Sequence, residues 1–112
     1  MFERLDQTEL KYEELNKALS SPDIVTDSAR FQKTAKAHSE LAPIVEKYRE
    51  YKDLNRGIQE SKAMLADETD TEMRAYAQDE LTQLEERVLQ VEADLFFHLR
   101  LQTLPPRGGP QP

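Results

Sequence analysis

Cysteine and tryptophan are absent from this 112-residue chain, and glycine occurs only three times. Without cysteine, the chain forms no disulfide and has no thiolate metal site or cysteine nucleophile. No apolar run approaches the ~20 residues of a membrane-spanning helix. The first six residues also lack the apolar core of a signal peptide. The sequence therefore predicts a cytoplasmic protein without a membrane association.

Charged residues are abundant, at 33% of the chain against 38% hydrophobic residues, and the formal net charge is −7. This composition is typical of long solvent-exposed helices rather than a thick globular core. The length permits one domain. Because a negative field repels phosphate groups, we expect neither generic binding of RNA or DNA through a basic face nor direct sequence-specific binding. Local basic patches stay open as an alternative, since Lys and Arg are spread through the first two-thirds of the chain.

The first predicted helix is defined by apolar residues at helical spacing. They recur in steps of three, four and seven at Phe2, Leu5, Tyr12, Leu15 and Leu19, which places them on one helical face. Pro22 cannot donate a backbone hydrogen bond and disfavours helix at Ser21. The helix is therefore predicted to end within residues 20–23.

A second, longer helix is predicted to begin after Asp27, a plausible N-cap. A helical apolar period runs from Phe31 to Leu65, or about ten turns. Pro43 interrupts this period and costs a helix interior roughly 3 kcal/mol. We predict one long helix kinked near Pro43, with two shorter helices as the alternative.

The third predicted helix follows a polar break at residues 67–70. Thr69 and Glu72 have the spacing of a capping box, and apolar residues then repeat on one face from Met73 to Leu95. Short polar turns between helices favour antiparallel neighbours. The predicted fold is all-α, with three long antiparallel helices in a bundle or coiled-coil-like arrangement over residues 1–95.

Residues 96–112 differ in composition from the rest of the chain. They begin with Phe96 and Phe97 and end in a segment rich in proline and glycine. A helix does not persist through such a segment, so we predict a disordered tail. The two phenylalanines lack an evident cover and predict self-association.

Histidines and acidic residues offer few ligands for a metal. His38 and His98 lie on different predicted helices, and neither has a glutamate three residues before it, the spacing found in di-iron bundles. The acidic run at residues 67–72 lacks the glycine and terminal glutamate of a calcium-binding EF-hand loop. We predict no catalytic, cofactor-binding or metal-binding residue, and no cofactor.

Two other motifs have both functional and structural interpretations. Tyr48, Arg49 and Tyr51 could stack on RNA or contact a protein partner, but the interleaved glutamates favour a structural role in the helix seam. Gly108-Gly109-Pro110-Gln111 is similar to a catalytic Gly-Gly-Gln loop, except that the inserted proline removes a backbone amide. We interpret this motif as chance in a Pro/Gly-rich segment.

Several segments resemble the N-terminal helical domain of the bacterial peptide chain release factors that read UAA and UAG. The resemblance covers residues 1 to about 95. The segments that carry it are residues 1–5, 11–15, 19–27, 30–31, 41–51, 63–65 and 72–81, and the strongest is Leu41-Ala42-Pro43-Ile44-Val45-Glu46-Lys47-Tyr48-Arg49-Glu50-Tyr51.

The resemblance implies a ribosome-contacting domain of translation termination, placed at the ribosomal stalk base near protein L11. The family's codon-reading Pro-x-Thr and hydrolytic Gly-Gly-Gln motifs do not occur in this sequence, so no enzymatic activity is predicted. The sequence departs from the family pattern near Leu95, which predicts a truncated or frameshifted product. The alternative is a free-standing helical adaptor or coiled-coil interaction protein.

Overall fold

The computed structural model describes residues 2–103. In chain order it contains α1 (Phe2–Leu19), a 3₁₀ helix (Pro22–Thr26), α2 (Ser28–Asp67) and α3 (Thr71–Thr103). No strand occurs within these residues. The predicted all-α class with three long helices is confirmed. Among residues 2–103, no helix is both long and apolar enough to span a membrane.

The first compact unit ends at Tyr48 and contains α1, the 3₁₀ helix and the beginning of α2. Its buried side chains come from all three elements: Leu5, Leu15, Ile24, Ile44, Val45 and Tyr48. Asn16 contacts His38, whereas the earlier Asp6 contacts the later Tyr48. This reversed order shows that α1 and the beginning of α2 run antiparallel.

The second compact unit begins at Arg49 and contains the rest of α2 together with α3. Arg87 forms an ion pair with Glu50, and Gly57 lies against Leu84, so these two helical segments are also antiparallel. A Cβ at Gly57 would lie 3.2 Å from Leu84 Cδ1, so glycine permits a close approach of the helices.

Helix α2 is continuous through Pro43, and the alternative of two shorter helices is therefore wrong. Proline removes the hydrogen bond that the carbonyl of Ser39 would accept. Both Pro43 and Ser39 are exposed, so water can hydrate that carbonyl and reduce the cost. The kink near Pro43 stays a prediction.

The beginnings of α2 and α3 test the predicted caps. Asp27 Oδ1 accepts a hydrogen bond from Arg30 N at 3.1 Å, which confirms Asp27 as the N-cap of α2. The capping box at Thr69 is wrong, because Asp70 Oδ1 accepts from Glu72 N and Met73 N instead. Aspartate is as good an N-cap as threonine or better, and it stands directly before the first helical residue.

Helix α3 extends beyond the predicted end of the helical region at Leu95. It continues to Thr103, so the beginning of the predicted tail is helical. Residues 96–103 contain no proline or glycine, and Leu99 is buried, extending the apolar face of Val91 and Leu95. The rest of the predicted disordered tail, including Gly108–Gln111, lies outside the described residues.

Candidate functional site

The two histidines lie in different compact units. His38 Nε2 is 2.6 Å from Asn16 Oδ1, and the His38 ring stacks on Tyr12 with the ring centroids 4.4 Å apart. The ring of His98 meets the edge of Phe97. Within residues 2–103, no three His, Asp or Glu side chains are grouped as a metal site would require. Each histidine ring therefore packs against an aromatic side chain of its own unit.

Tyr48 has the structural role that its sequence context favours. Its side chain is buried, and its hydroxyl donates a hydrogen bond to Asp6 Oδ1 at 2.5 Å. Because this bond joins α1 to α2, Tyr48 fixes the packing of the first unit. A ring engaged in this way is not available to stack on a nucleotide.

The acidic α2–α3 turn uses its charged groups on its own backbone. Glu68 Oε1 accepts hydrogen bonds from the amides of Thr69 and Asp70 at 3.1 and 2.9 Å. Arg74 donates to the carbonyl oxygens of Leu65 and Glu68. These bonds satisfy amides and carbonyls left open at the helix ends. The interpretation of the turn as a capped connection rather than a calcium site is therefore supported.

A shallow pocket lies between α2 and α3 in the second unit. Its volume is about 240 Å³, and its lining includes Ser61, Tyr76, Glu60 and Glu80. A serine needs an adjacent base and an oxyanion-stabilising group to act as a nucleophile. The lining contains no histidine, lysine or arginine.

A different surface surrounds the α1–α2 connection, which we define as residues 20–36. Val25 is 74% exposed and Phe31 42% exposed, so two apolar side chains face solvent there. Arg30, Lys33 and Lys36 are also exposed. No ion pair is formed by these three cations within residues 2–103. The connection thus presents positive charge and apolar surface to solvent.

Sequence reasoning left local basic patches open but did not locate this one, although a signal was present. Residues 28–39 contain three cationic residues and no acidic residue, a contrast with the strongly acidic chain around them. The net charge of the whole chain, −7, does not reveal this local excess of positive charge. A charge count over short windows would have found it.

The outer face of α3 is the second exposed apolar surface. Leu89, Phe96, Phe97 and Leu101 are each about half exposed or more. They lie away from the buried Val91, Leu95 and Leu99 of the same helix. The predicted exposure of Phe96 and Phe97 is confirmed.

Comparisons with known proteins identify the family to which the chain belongs. Residues 8–103 match the model of the PCRF domain. The chain belongs to the PCRF domain family. The match begins within α1 and ends with α3, so both exposed surfaces of this PCRF domain lie inside it.

Several relatives are named peptide chain release factor 1. Those of Acidobacterium capsulatum and Syntrophomonas wolfei are each 50% identical over 95 residues, which are 85% of this chain and 26% and 27% of the relatives. The protein of Listeria monocytogenes is 40% identical over 105 residues, 94% of this chain and 28% of the relative. The chain thus spans about a quarter of the length of these relatives.

The predicted resemblance to bacterial peptide chain release factors is therefore confirmed. The PCRF domain is a release-factor-like segment of the translation-termination class. No solved structure matches the chain.

Proposed function

We propose that this PCRF domain is a cytoplasmic ribosome-binding module of translation termination that contacts the stalk base near protein L11. The observation that carries the proposal is the match of residues 8–103 to the PCRF domain, together with relatives named as release factors. The placement near L11 comes from the family resemblance. The α1–α2 connection is the surface that we assign to the contact.

The chemistry of the connection suits an RNA–protein surface. Arg30, Lys33 and Lys36 extend over two helical turns and are free to pair with phosphate oxygens. Phosphate contacts position a protein without reading sequence. Phe31 and Val25 add exposed apolar area next to these cations. The excess of negative charge elsewhere restricts phosphate binding to this region.

We further propose that the chain alone does not hydrolyse peptidyl-tRNA. Its sequence contains neither a Pro-x-Thr tripeptide nor a Gly-Gly-Gln tripeptide. The lining of the pocket between α2 and α3 contains no histidine, lysine or arginine. The expected contribution to termination is binding and placement rather than chemistry.

The binding proposal is tested by co-sedimentation with purified ribosomes over a range of protein concentrations. Reversing two cations in Lys33→Glu/Lys36→Glu should weaken binding roughly tenfold or more, because two phosphate contacts become repulsive. The matched control is Arg56→Glu/Lys62→Glu, which changes the net charge equally on exposed residues of the second unit. Equal losses for the two double variants would contradict the assignment of the surface.

The catalytic part is tested by a release assay on ribosomes programmed with a stop codon. We expect no peptide release by the chain, while a full-length release factor 1 serves as the positive control. Stop-dependent release by the chain alone would overturn the proposal of a binding module.

A second candidate function is a free-standing helical adaptor that self-associates. The exposed outer face of α3 favours it, because large apolar side chains on one helix face mark interaction surfaces. Ribosome co-sedimentation discriminates between the two candidates, since an adaptor of this kind would remain in the supernatant.

A further inference from the structure

We infer that the outer face of α3 binds the same face of a second copy of this chain, antiparallel and centred on Ala93. This surface belongs entirely to the second unit. The inference does not depend on ribosome binding, so either can fail while the other stands.

The apolar part of the face consists of large side chains that are exposed to solvent. Leu89 is 67% exposed, Phe97 62% and Phe96 55%. Leu89, Ala93 and Phe97 follow one another in steps of four, so they form a continuous stripe along the helix. Burying such side chains releases apolar surface from water, which drives association.

The charges along the stripe are arranged symmetrically about Ala93. Glu86 stands seven residues before Ala93 and Arg100 seven residues after it. Seven residues are close to two helical turns, so both charges lie on the Ala93 face. In an antiparallel pair, each Glu86 therefore faces Arg100 of the second copy. Arg100 already interacts within the chain, but a guanidinium has five N–H donors and can serve both partners.

The apolar residues are complementary in the same register. Leu89 lies four residues before Ala93, and Phe96 and Phe97 lie three and four residues after it. Leu89 of one copy therefore packs against the two phenylalanines of the other. Ala93 meets its own counterpart at the centre, where a small side chain lets two helices approach closely.

The charge pattern also fixes the direction and the number of copies. A parallel pair in register would place Glu86 beside Glu86 and Arg100 beside Arg100, which is repulsive. An antiparallel pair uses the same surface on both copies and closes with two-fold symmetry, so it stops at a dimer. From Glu86 to Arg100 the stripe is about 21 Å long. One helix pair of this length buries less than a standard interface, so we expect a dissociation constant in the micromolar range.

The register is tested by cysteine cross-linking, since the chain has no cysteine of its own. In Ala93→Cys, the two new thiols meet at the symmetry axis and should form a disulfide-linked dimer under mild oxidation. The control is Thr82→Cys, an exposed position on the same helix whose two copies would be about 33 Å apart in the proposed dimer. We expect dimer formation at least about tenfold faster for the first variant. Equal rates for the two variants would overturn the proposed register.

The charge pairs are tested by sedimentation equilibrium of the full chain without ribosomes. Glu86→Arg and Arg100→Glu should each raise the dimer dissociation constant by roughly fivefold or more, since each creates two like-charge contacts. The combined variant Glu86→Arg/Arg100→Glu restores opposite charges and should return the constant to within about twofold of the original. Circular dichroism checks that helix content is unchanged. A strictly monomeric chain at high micromolar concentration, or a combined variant weaker than both single variants, would overturn the inference.

Discussion

The two connections between the long helices differ in how their charged side chains are used. The α2–α3 turn directs Glu68, Asp70 and Arg74 to its own backbone, where they accept from amides and donate to carbonyls. The α1–α2 connection leaves Arg30 and Lys33 exposed, with no ion pair of their own in residues 2–103. A group engaged on the backbone contributes to stability, whereas an unengaged exposed group is available to a partner. The comparison therefore separates a structural turn from the surface that we propose for ribosome binding.

The largest effect on stability is expected at the α2–α3 turn. Asp70→Ala removes an acceptor for the amides of Glu72 and Met73, and loss of an N-cap costs about 1–2 kcal/mol. Urea denaturation followed by circular dichroism at 222 nm should show this decrease in the free energy of unfolding. Asp70→Asn keeps the acceptor oxygen and is the matched control, with most of the stability retained. Equal losses for the two variants would mean that the charge of Asp70 matters rather than its hydrogen bonds.

A smaller loss of stability is expected at the single cap of the α1–α2 connection. Asp27 Oδ1 accepts one backbone hydrogen bond, from Arg30 N. Asp27→Ala should therefore lower the free energy of unfolding by about 0.5–1 kcal/mol. The same urea titration measures it beside Asp70→Ala. A loss at Asp27 larger than that at Asp70 would contradict the view that the α2–α3 turn is the more structural of the two.

The sequence predicted those parts of the fold that depend on local chemistry. The end of α1 follows from Pro22, and the beginning of α2 follows from Asp27, because proline and aspartate act within a few residues. The cap of α3 was misplaced by one residue, since Thr69 and Asp70 are both good caps and only the backbone geometry decides between them. The predicted end of the third helix at Leu95 was wrong, because α3 continues to Thr103. That prediction grouped residues 96–103 with the proline-rich segment that follows them, although they contain no proline themselves.

Contacts between distant residues were not predictable from one sequence. The pairs Asn16–His38 and Asp6–Tyr48 depend on how α1 packs on α2, which periodicity does not specify to a single residue. The positive surface of the α1–α2 connection was visible in the sequence as an acid-free run, but only the structure shows that its cations are exposed and form no ion pair within residues 2–103. Apolar periodicity identifies the buried side of a helix. Whether the opposite side can bind a partner depends on local departures from the average composition, such as this acid-free run.

The smallest effect on stability is expected at Lys36. A change at this residue should alter ribosome binding while leaving the free energy of unfolding almost unchanged. Lys36 is exposed and forms no ion pair within residues 2–103, so Lys36→Gln should change the free energy of unfolding by less than about 0.5 kcal/mol. If Lys36 contacts an RNA phosphate, the dependence of ribosome affinity on salt should become less steep, with the slope of log K against log salt reduced by about one. Arg56→Gln, which removes an equal charge outside the connection, should leave that slope unchanged. An unaltered slope for Lys36→Gln would remove this residue from the proposed contact, whereas a reduced slope at unchanged stability would show that the α1–α2 connection serves binding rather than folding.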